Sequence, residues 1–277
     1  MKLAFQGELG AFSHLAALQL YPKSEIRACQ TFEECFRLAK ENFEYKIIIP
    51  IENSLAGRVA DIHYLIPKYK LQIYAEYFHP VIHNLLGLKG AKLKDIKTVR
   101  SHFQAIGQCQ NIIQKNNLKP IVSADTAGSA KYISEKKDKT ESALASSLAA
   151  KIYNLEIIIK HVEDDSKNIT RFLIMGKEVH HPNFENKKYI TSCIFRVKSK
   201  PAALYKCLGG FATNNVNLSK LESFSAKNSF EQVNFFIDID GHIEDPPVQK
   251  SLEELGFHTE SLDILGVYEA DMFRSGK

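Results

Sequence analysis

No apolar run in the 277-residue sequence approaches the ~20 residues that span a bilayer, so a membrane partner is not expected. Basic blocks are missing too. Thirty-six Lys and Arg stand against 32 Asp and Glu, and the net charge of +4 is spread along the chain. That gives no footing for nucleic acid. The cysteines, Cys29, Cys35, Cys109, Cys193 and Cys207, are odd in number and lack Cys-x-x-Cys spacing. This excludes a disulfide framework and a zinc site, and reads as reduced, mostly buried thiols of a cytoplasmic protein. His180 and His181 have no partners at ligand spacing, so no metal is expected. The start, Met1 to Gly7, reads as a strand entering a turn, without the long apolar region of a signal peptide.

What is present is an ordinary globular composition, 44% hydrophobic and 25% charged, long enough for two or three compact units. Lys2 to Phe5 reads as a strand, then a turn with Gly7 and Gly10, then a helix from His14 to Leu20 that Ser13 can cap. A glycine-containing loop feeding a helix offers backbone N–H groups to an anion. Thr31 and Glu34 have capping-box spacing. Tyr45 to Ile49 is a continuous apolar strand that ends at Pro50-Ile51-Glu52-Asn53-Ser54, before a helix through Val59-Ala60-Asp61-Ile62. Ligands of open α/β sheets collect at such strand ends. Leu71 to Leu88 is longer than one strand and is read as a crossing between lobes.

Three strand-to-helix turns follow, each with small or hydroxyl residues. Lys97 to Arg100 is a strand with Ser101 as N-cap and His102 in the first turn. Pro120 to Ser123 leads to Asp125-Thr126-Ala127-Gly128, and Ser142 to Ala145 to Ser146-Ser147. The repetition predicts a sheet whose helix N-termini face one way. Leu155 to Val162 then returns the chain to Asn168-Ile169-Thr170-Arg171-Phe172, where an acidic loop becomes an apolar strand. An amide, a hydroxyl and a guanidinium at such a junction can be presented to a ligand. Arg171 fits either a carboxylate or a role bracing its loop, and Phe172 either a ring wall or core packing.

After a polar linker at 180–188, strands at Tyr189–Val197, Val216–Ser225, Phe230–Asp240 and Glu260–Val267 alternate with helices at Pro201–Ala212 and Pro247–Leu255. The order β-α-β-β-α-β is that of a ferredoxin-like fold.

Taken together, Gly10-Ala11-Phe12-Ser13, Pro50-Ile51-Glu52-Asn53-Ser54, Ser101-His102-Phe103-Gln104-Ala105, Asp125-Thr126-Ala127-Gly128 and Asn168-Ile169-Thr170-Arg171-Phe172 resemble prephenate dehydratase. The C-terminal part resembles an ACT regulatory module. The resemblance implies an α/β fold: a two-lobed catalytic domain like type 2 periplasmic binding proteins, plus a ferredoxin-like βαββαβ ACT domain. The catalytic domain would be 1–180, with lobe one 1–75 and 163–180 and lobe two 76–162, and the ACT domain 188–271. It further implies a lyase acting on prephenate without cofactor, with Thr170, Arg171 and Phe172 as the catalytic signature. Ser13, Asn53, Ser54, Ser101, His102, Thr126, Ala127 and Asn168 would be substrate contacts. Phenylalanine is the implied effector, at Ala202, Ala203, Leu204, Asn215, Asn217, Leu218, Glu222 and Ser223, in a homodimer or homotetramer. Arogenate as substrate and a non-catalytic sensor are the alternatives. The chain departs from the pattern at Phe103, where the family has proline, at Ala202, where it has glycine, and at Phe224-Ser225, where it has Arg-Pro. The last two predict weaker phenylalanine binding.

Overall fold

The structure, a computed structural model, describes residues 1–59, 62–198, 200–225 and 233–276. In chain order the first elements are β1 (Lys2–Gln6), α1 (Phe12–Leu20), β2 (Glu25–Cys29), α2 (Phe32–Glu41), β3 (Tyr45–Asn53), β4 (Gly57–Arg58), α3 (Ile62–Tyr69) and β5 (Gln72–Pro80). Next come β6 (Asn84–Gly87), β7 (Thr98–His102), α4 (Phe103–Gly107), α5 (Gln110–Lys115), β8 (Lys119–Ser123), α6 (Thr126–Lys136), β9 (Glu141–Ala145), α7 (Ser147–Ile152), β10 (Glu156–Ile159) and β11 (Ile169–Gly176). The last are β12 (Tyr189–Val197), α8 (Ala203–Thr213), β13 (Leu218–Ser225), β14 (Val233–Asp240), α9 (Pro246–His258) and β15 (Thr259–Glu269). This is a mixed-sheet α/β protein. Among the described residues no helix is long and apolar enough to cross a membrane.

One sheet has the order β2-β1-β3-β11-β5, with β4 beside β3, and a second has β10-β6-β9-β7-β8. The chain changes sheet after β5 and again after β10, as the long apolar stretch at 71–88 predicts. In the second sheet β7 runs parallel to β8 and to β9, so the helices that follow these strands start at one end. Leu85, Val99 and Leu144 pack on Ile106, Cys109 and Ile113 on one face. On the other, Leu86, Ala143 and Ala145 meet Ala130, Ile133, Ala149 and Ala150. Alanines here let the helices approach the sheet closely.

Several local expectations are corrected. Strand β2 was not foreseen, because its burial alternates weakly and its outer face is polar. β3 does not stop at Pro50 but continues through Asn53, carrying buried Ile51. The cap of α1 is Ala11, without a side-chain bond, and Ser13 lies inside the helix. His102, not Ser101, caps α4; Ser101 is still in the strand. The helix expected from Val59 begins at Ile62, and Ala60 and Asp61 lie outside the described residues, as do 230–232 of the expected Phe230–Asp240 strand. Pro201 precedes α8 instead of opening it, with Ala202 as the cap.

Contacts divide the chain into one unit of Met1–Cys35, Ile48–Arg58 and Phe78–Phe172, and another of Phe36–Ile47, Val59–Tyr77 and Leu173–Lys277. This grouping crosses the boundaries read from the sequence, and the C-terminal sheet shows why. Its order is β13-β14-β12-β15, antiparallel throughout. One face packs on α8 and α9 through Phe195, Ile237, Cys207, Phe211 and Leu255. The opposite face is covered within the same unit. Phe224 and Phe236 lie against His63 of α3. A Cβ on Gly266 would stand 2.2 Å from the Ile73 carbonyl oxygen, so only glycine permits that approach of β15 to β5. Arg274 reaches back to the buried carboxylate of Glu76 at 2.6 Å.

Candidate active site

The site is built where β3 and β11 end and begin side by side. Asn53 closes β3 and Ile169 opens β11. The Asn53 side-chain oxygen accepts the backbone N–H groups of Leu55 at 3.0 Å and Ala56 at 2.8 Å. Backbone amides only donate, so this fixes which end of the carboxamide is which. Its nitrogen then donates to Asn168 Oδ1 at 2.7 Å, to Thr170 Oγ1 at 2.9 Å and to the Ile169 carbonyl at 3.2 Å. Thr170, nearly buried at 9% exposure, thus has one lone pair occupied, and its own proton has no acceptor among the described residues.

The assignment propagates. Asn168 accepts through Oδ1, so its nitrogen is the donor to Gln108 Oε1 at 2.8 Å. The same oxygen meets His83 Nε2 at 3.1 Å. Gln108 sits between α4 and α5, and its backbone carbonyl accepts from Asp164 N at 2.7 Å, which fastens it to the loop before β11. Neither Gln108 nor His83 was singled out from the sequence. The signal was weak: Gln108 is one of several amides in a stretch that reads from sequence as one helix through Ile113, four residues past Gln104.

The remaining expected residues fall into two groups. Ser54 clamps the loop: its hydroxyl donates to Lys167 O at 2.8 Å and accepts from Ile169 N at 2.9 Å. Arg171 is 1% exposed and donates to Glu52 at 3.0 Å, with the Phe78 ring 5.8 Å away. Of its two possible roles the geometry supports bracing. Phe172 is buried against the His79 ring, hence a core residue. Ser101 is fully buried, and its hydroxyl donates to Leu144 O at 2.7 Å, which spends the group expected to meet substrate. Ser13, His102, Thr126 and Ala127 lie in or at the first turns of α1, α4 and α6, apart from the hydrogen-bonded cluster.

Those turns carry electrostatic order. His102 Nδ1 accepts from Gln104 N, which requires that nitrogen to be unprotonated; burial lowers its pKa, and Asp125 opposes the shift. Asp125 caps α6 by accepting from Gly128 N at 2.5 Å. Ser146 caps α7 and donates to Gly10 O at 2.6 Å. Gly10 has φ +92°, and an added Cβ would come within 2.8 Å of Ala149 Cα, so this position demands glycine. The glycine loop is not the open anion cradle expected of it. Gly7 N is bound to Cys29 O, Gly10 N to His14 Nδ1 and Ala11 N to Glu8 O.

In the C-terminal unit, Ala202, Ala203 and Leu204 line a depression of about 510 Å³ with Lys198, Tyr205 and Val233. Ala202 keeps a glycine-like φ of +60°. Asn217 donates to Asp240 at 2.6 Å, Asn215 adopts φ +55°, and Leu218 opens β13. Glu222 pairs with Lys220 at 3.0 Å, and Ser223 lies exposed on β13.

A family model for prephenate dehydratase matches residues 3–180. A bifunctional N-acyl-homoserine lactone acylase/prephenate dehydratase of Komagataeibacter europaeus is 42% identical, over 98% of this chain and 97% of that one. Arogenate dehydratase/prephenate dehydratase 1 of Arabidopsis thaliana, chloroplastic, is 34% identical, over 99% of this chain and 73% of the relative. The crystal structure of a prephenate dehydratase from Arthrobacter aurescens in complex with L-Phe aligns with a TM-score of 0.90 at 26% identity, covering 97% of this chain and 90% of that one. On the match over 3–180 and these identities, the chain belongs to the prephenate dehydratase family of carbon–oxygen lyases.

Proposed function

We propose that this chain converts prephenate to phenylpyruvate, carbon dioxide and water in L-phenylalanine biosynthesis. The observation that carries the reading is the bond from Asn53 to Thr170 Oγ1, which uses the hydroxyl as an acceptor and leaves its proton available to a ligand. Loss of the ring carboxylate as CO₂ leaves its electron pair in the ring, and the ring expels hydroxide as it becomes aromatic. Thr170 donates to that departing oxygen. Its hydroxyl is too weak an acid to surrender the proton outright, so it stabilises developing charge and water supplies the proton. The Gln108 Nε2 donors, and the first turns of α1, α4 and α6 with Ser13, His102 and Thr126, supply groups for the two carboxylates. The chemistry needs no cofactor.

Residues 188–271 serve in this reading as a ferredoxin-like ACT module that takes L-phenylalanine, the ligand in the Arthrobacter aurescens complex, and the depression beside Ala202–Leu204 is the place proposed for it here. The edges β13 and β15 are the surfaces for a homodimer or homotetramer, since the sheet's second face is already covered. A cytoplasmic setting suits the five free thiols. Arogenate is the second substrate to weigh, because relatives at 34% identity carry that activity in their names. Steady-state assays with prephenate and with arogenate test the reading. Turnover of prephenate with the higher kcat/KM supports it, and no turnover of either defeats it.

A further inference from the structure

The chain of bonds that fixes Asn53, Asn168 and Gln108 ends on a histidine. His83 lies between β5 and β6, is 2% exposed, and meets the Phe12 ring edge-on at 5.2 Å. Because Gln108 accepts through Oε1, the His83 Nε2 facing it must carry the proton. Its other ring nitrogen, Nδ1, is buried and has no hydrogen-bond partner among the described residues. A second proton there would be a desolvated, unmatched charge, so the ring is neutral. Burial lowers its pKa in agreement. The titratable groups around it are Glu163, which accepts the His83 backbone N–H at 2.9 Å, His161, 3.6 Å from Glu163, and Asp164, which accepts from Gln110 N and Asn111 N.

We propose that His83 is a positioning residue for the reaction, holding the Gln108 oxygen inward so that the Gln108 NH₂ group faces substrate. Two donors, from Asn168 and His83, converge on one carboxamide oxygen, and they leave the amide a single orientation. With His83 removed, one donor remains and the amide can turn its oxygen toward the substrate carboxylates, replacing a donor by a repelling acceptor. The inference rests on the dehydratase reading above.

The test is a double-mutant cycle in the full-length protein. His83→Leu should lower kcat/KM for prephenate by ~10–100-fold. In a Gln108→Ala background the same change should have little further effect, because the group it positions is gone. His83→Gln, which restores a donor near Nε2, should recover most of the loss. A merely structural role predicts equal losses in both backgrounds and no rescue, and that outcome overturns the proposal. Should His83→Leu fail to fold, long-range ¹⁵N–¹H spectra of the histidine-labelled unmodified protein decide: a neutral, Nε2-protonated His83 is expected, and an Nδ1-protonated ring refutes it. An unmodified protein that turns over prephenate while His83→Leu matches it sinks the positioning role alone. An inactive unmodified protein sinks the dehydratase reading and this inference with it.

Discussion

Replacing Asn53 by Asp changes one atom and reverses the polarity at the centre of the site. The Asn53 nitrogen makes three contacts, all to acceptors: Asn168 Oδ1, Ile169 O and Thr170 Oγ1. A carboxylate there cannot donate. Thr170 would swing its proton onto the new oxygen and present lone pairs to the departing hydroxide. Loss of one aligned donor costs ~100–1000-fold in turnover, about 2.7–4 kcal/mol in the barrier. Asn168 cannot adapt as easily, since its nitrogen is held by Gln108, so folding stability should fall by about 1–3 kcal/mol as well. One oxygen of the new carboxylate keeps the Leu55 and Ala56 N–H donors, which favour the charged form, while the other faces three acceptors, which disfavour it, and protonation there regains a donor. Asn53→Asp should therefore recover activity as pH falls, on top of the unmodified protein's profile. Phenylpyruvate formation followed by its ultraviolet absorbance, alongside urea unfolding, gives both numbers. A folded Asn53→Asp protein within threefold of normal turnover at neutral pH would refute the polarity argument.

Three further outcomes follow from the geometry. Glu76, with its side chain fully buried, binds Arg274 at 2.6 and 2.9 Å and the Asp271 N–H at 3.0 Å, so Arg274→Ala should destabilise by about 3–5 kcal/mol in urea unfolding. His79, with its pKa pushed down by burial to about 4, and His14 and His83, lowered by the same cause, bind protons more readily unfolded than folded. Stability is thus complete above pH ~6.5 and falls progressively toward pH ~4, His79 alone contributing on the order of 3 kcal/mol; a flat profile in that window contradicts this. Ala202→Gly, relieving a left-handed alanine, should raise the melting temperature by about 2–3 °C and tighten phenylalanine binding measured by titration calorimetry; unchanged or weaker binding would show that the methyl does not obstruct the depression.

Much of this was legible because strand ends and helix starts have local chemistry. The three turns after β7, β8 and β9, and the β11 start with its polar triplet, follow from apolar runs broken by small and hydroxyl residues. The Thr31–Glu34 box was also readable: Thr31 Oγ1 accepts from Glu34 N at 3.1 Å, though the glutamate reaches Gln30 N rather than Thr31. Orientation was not legible. Ser101 and His102 differ by one residue, and that single step along a strand puts the hydroxyl on Leu144 and the imidazole at the cap. Long-range partners were invisible as well. Gln108 and His83 gain their roles from residues 60 and 25 positions away, and α3 covers the C-terminal sheet through contacts no sequence window spans. Arg171 reads in sequence as either a carboxylate ligand or a brace, because guanidinium suits any carboxylate; the structure supplies a carboxylate of its own, Glu52.

The most direct test of the account is the turnover of prephenate by Thr170→Val and Thr170→Ser beside the unmodified protein. Valine keeps the shape and removes the hydroxyl that accepts from Asn53, while serine keeps the hydroxyl. The account predicts a ~100-fold or greater fall in kcat for Thr170→Val with KM little changed, and much of the activity retained by Thr170→Ser. Near-normal kcat in a folded Thr170→Val protein would contradict it.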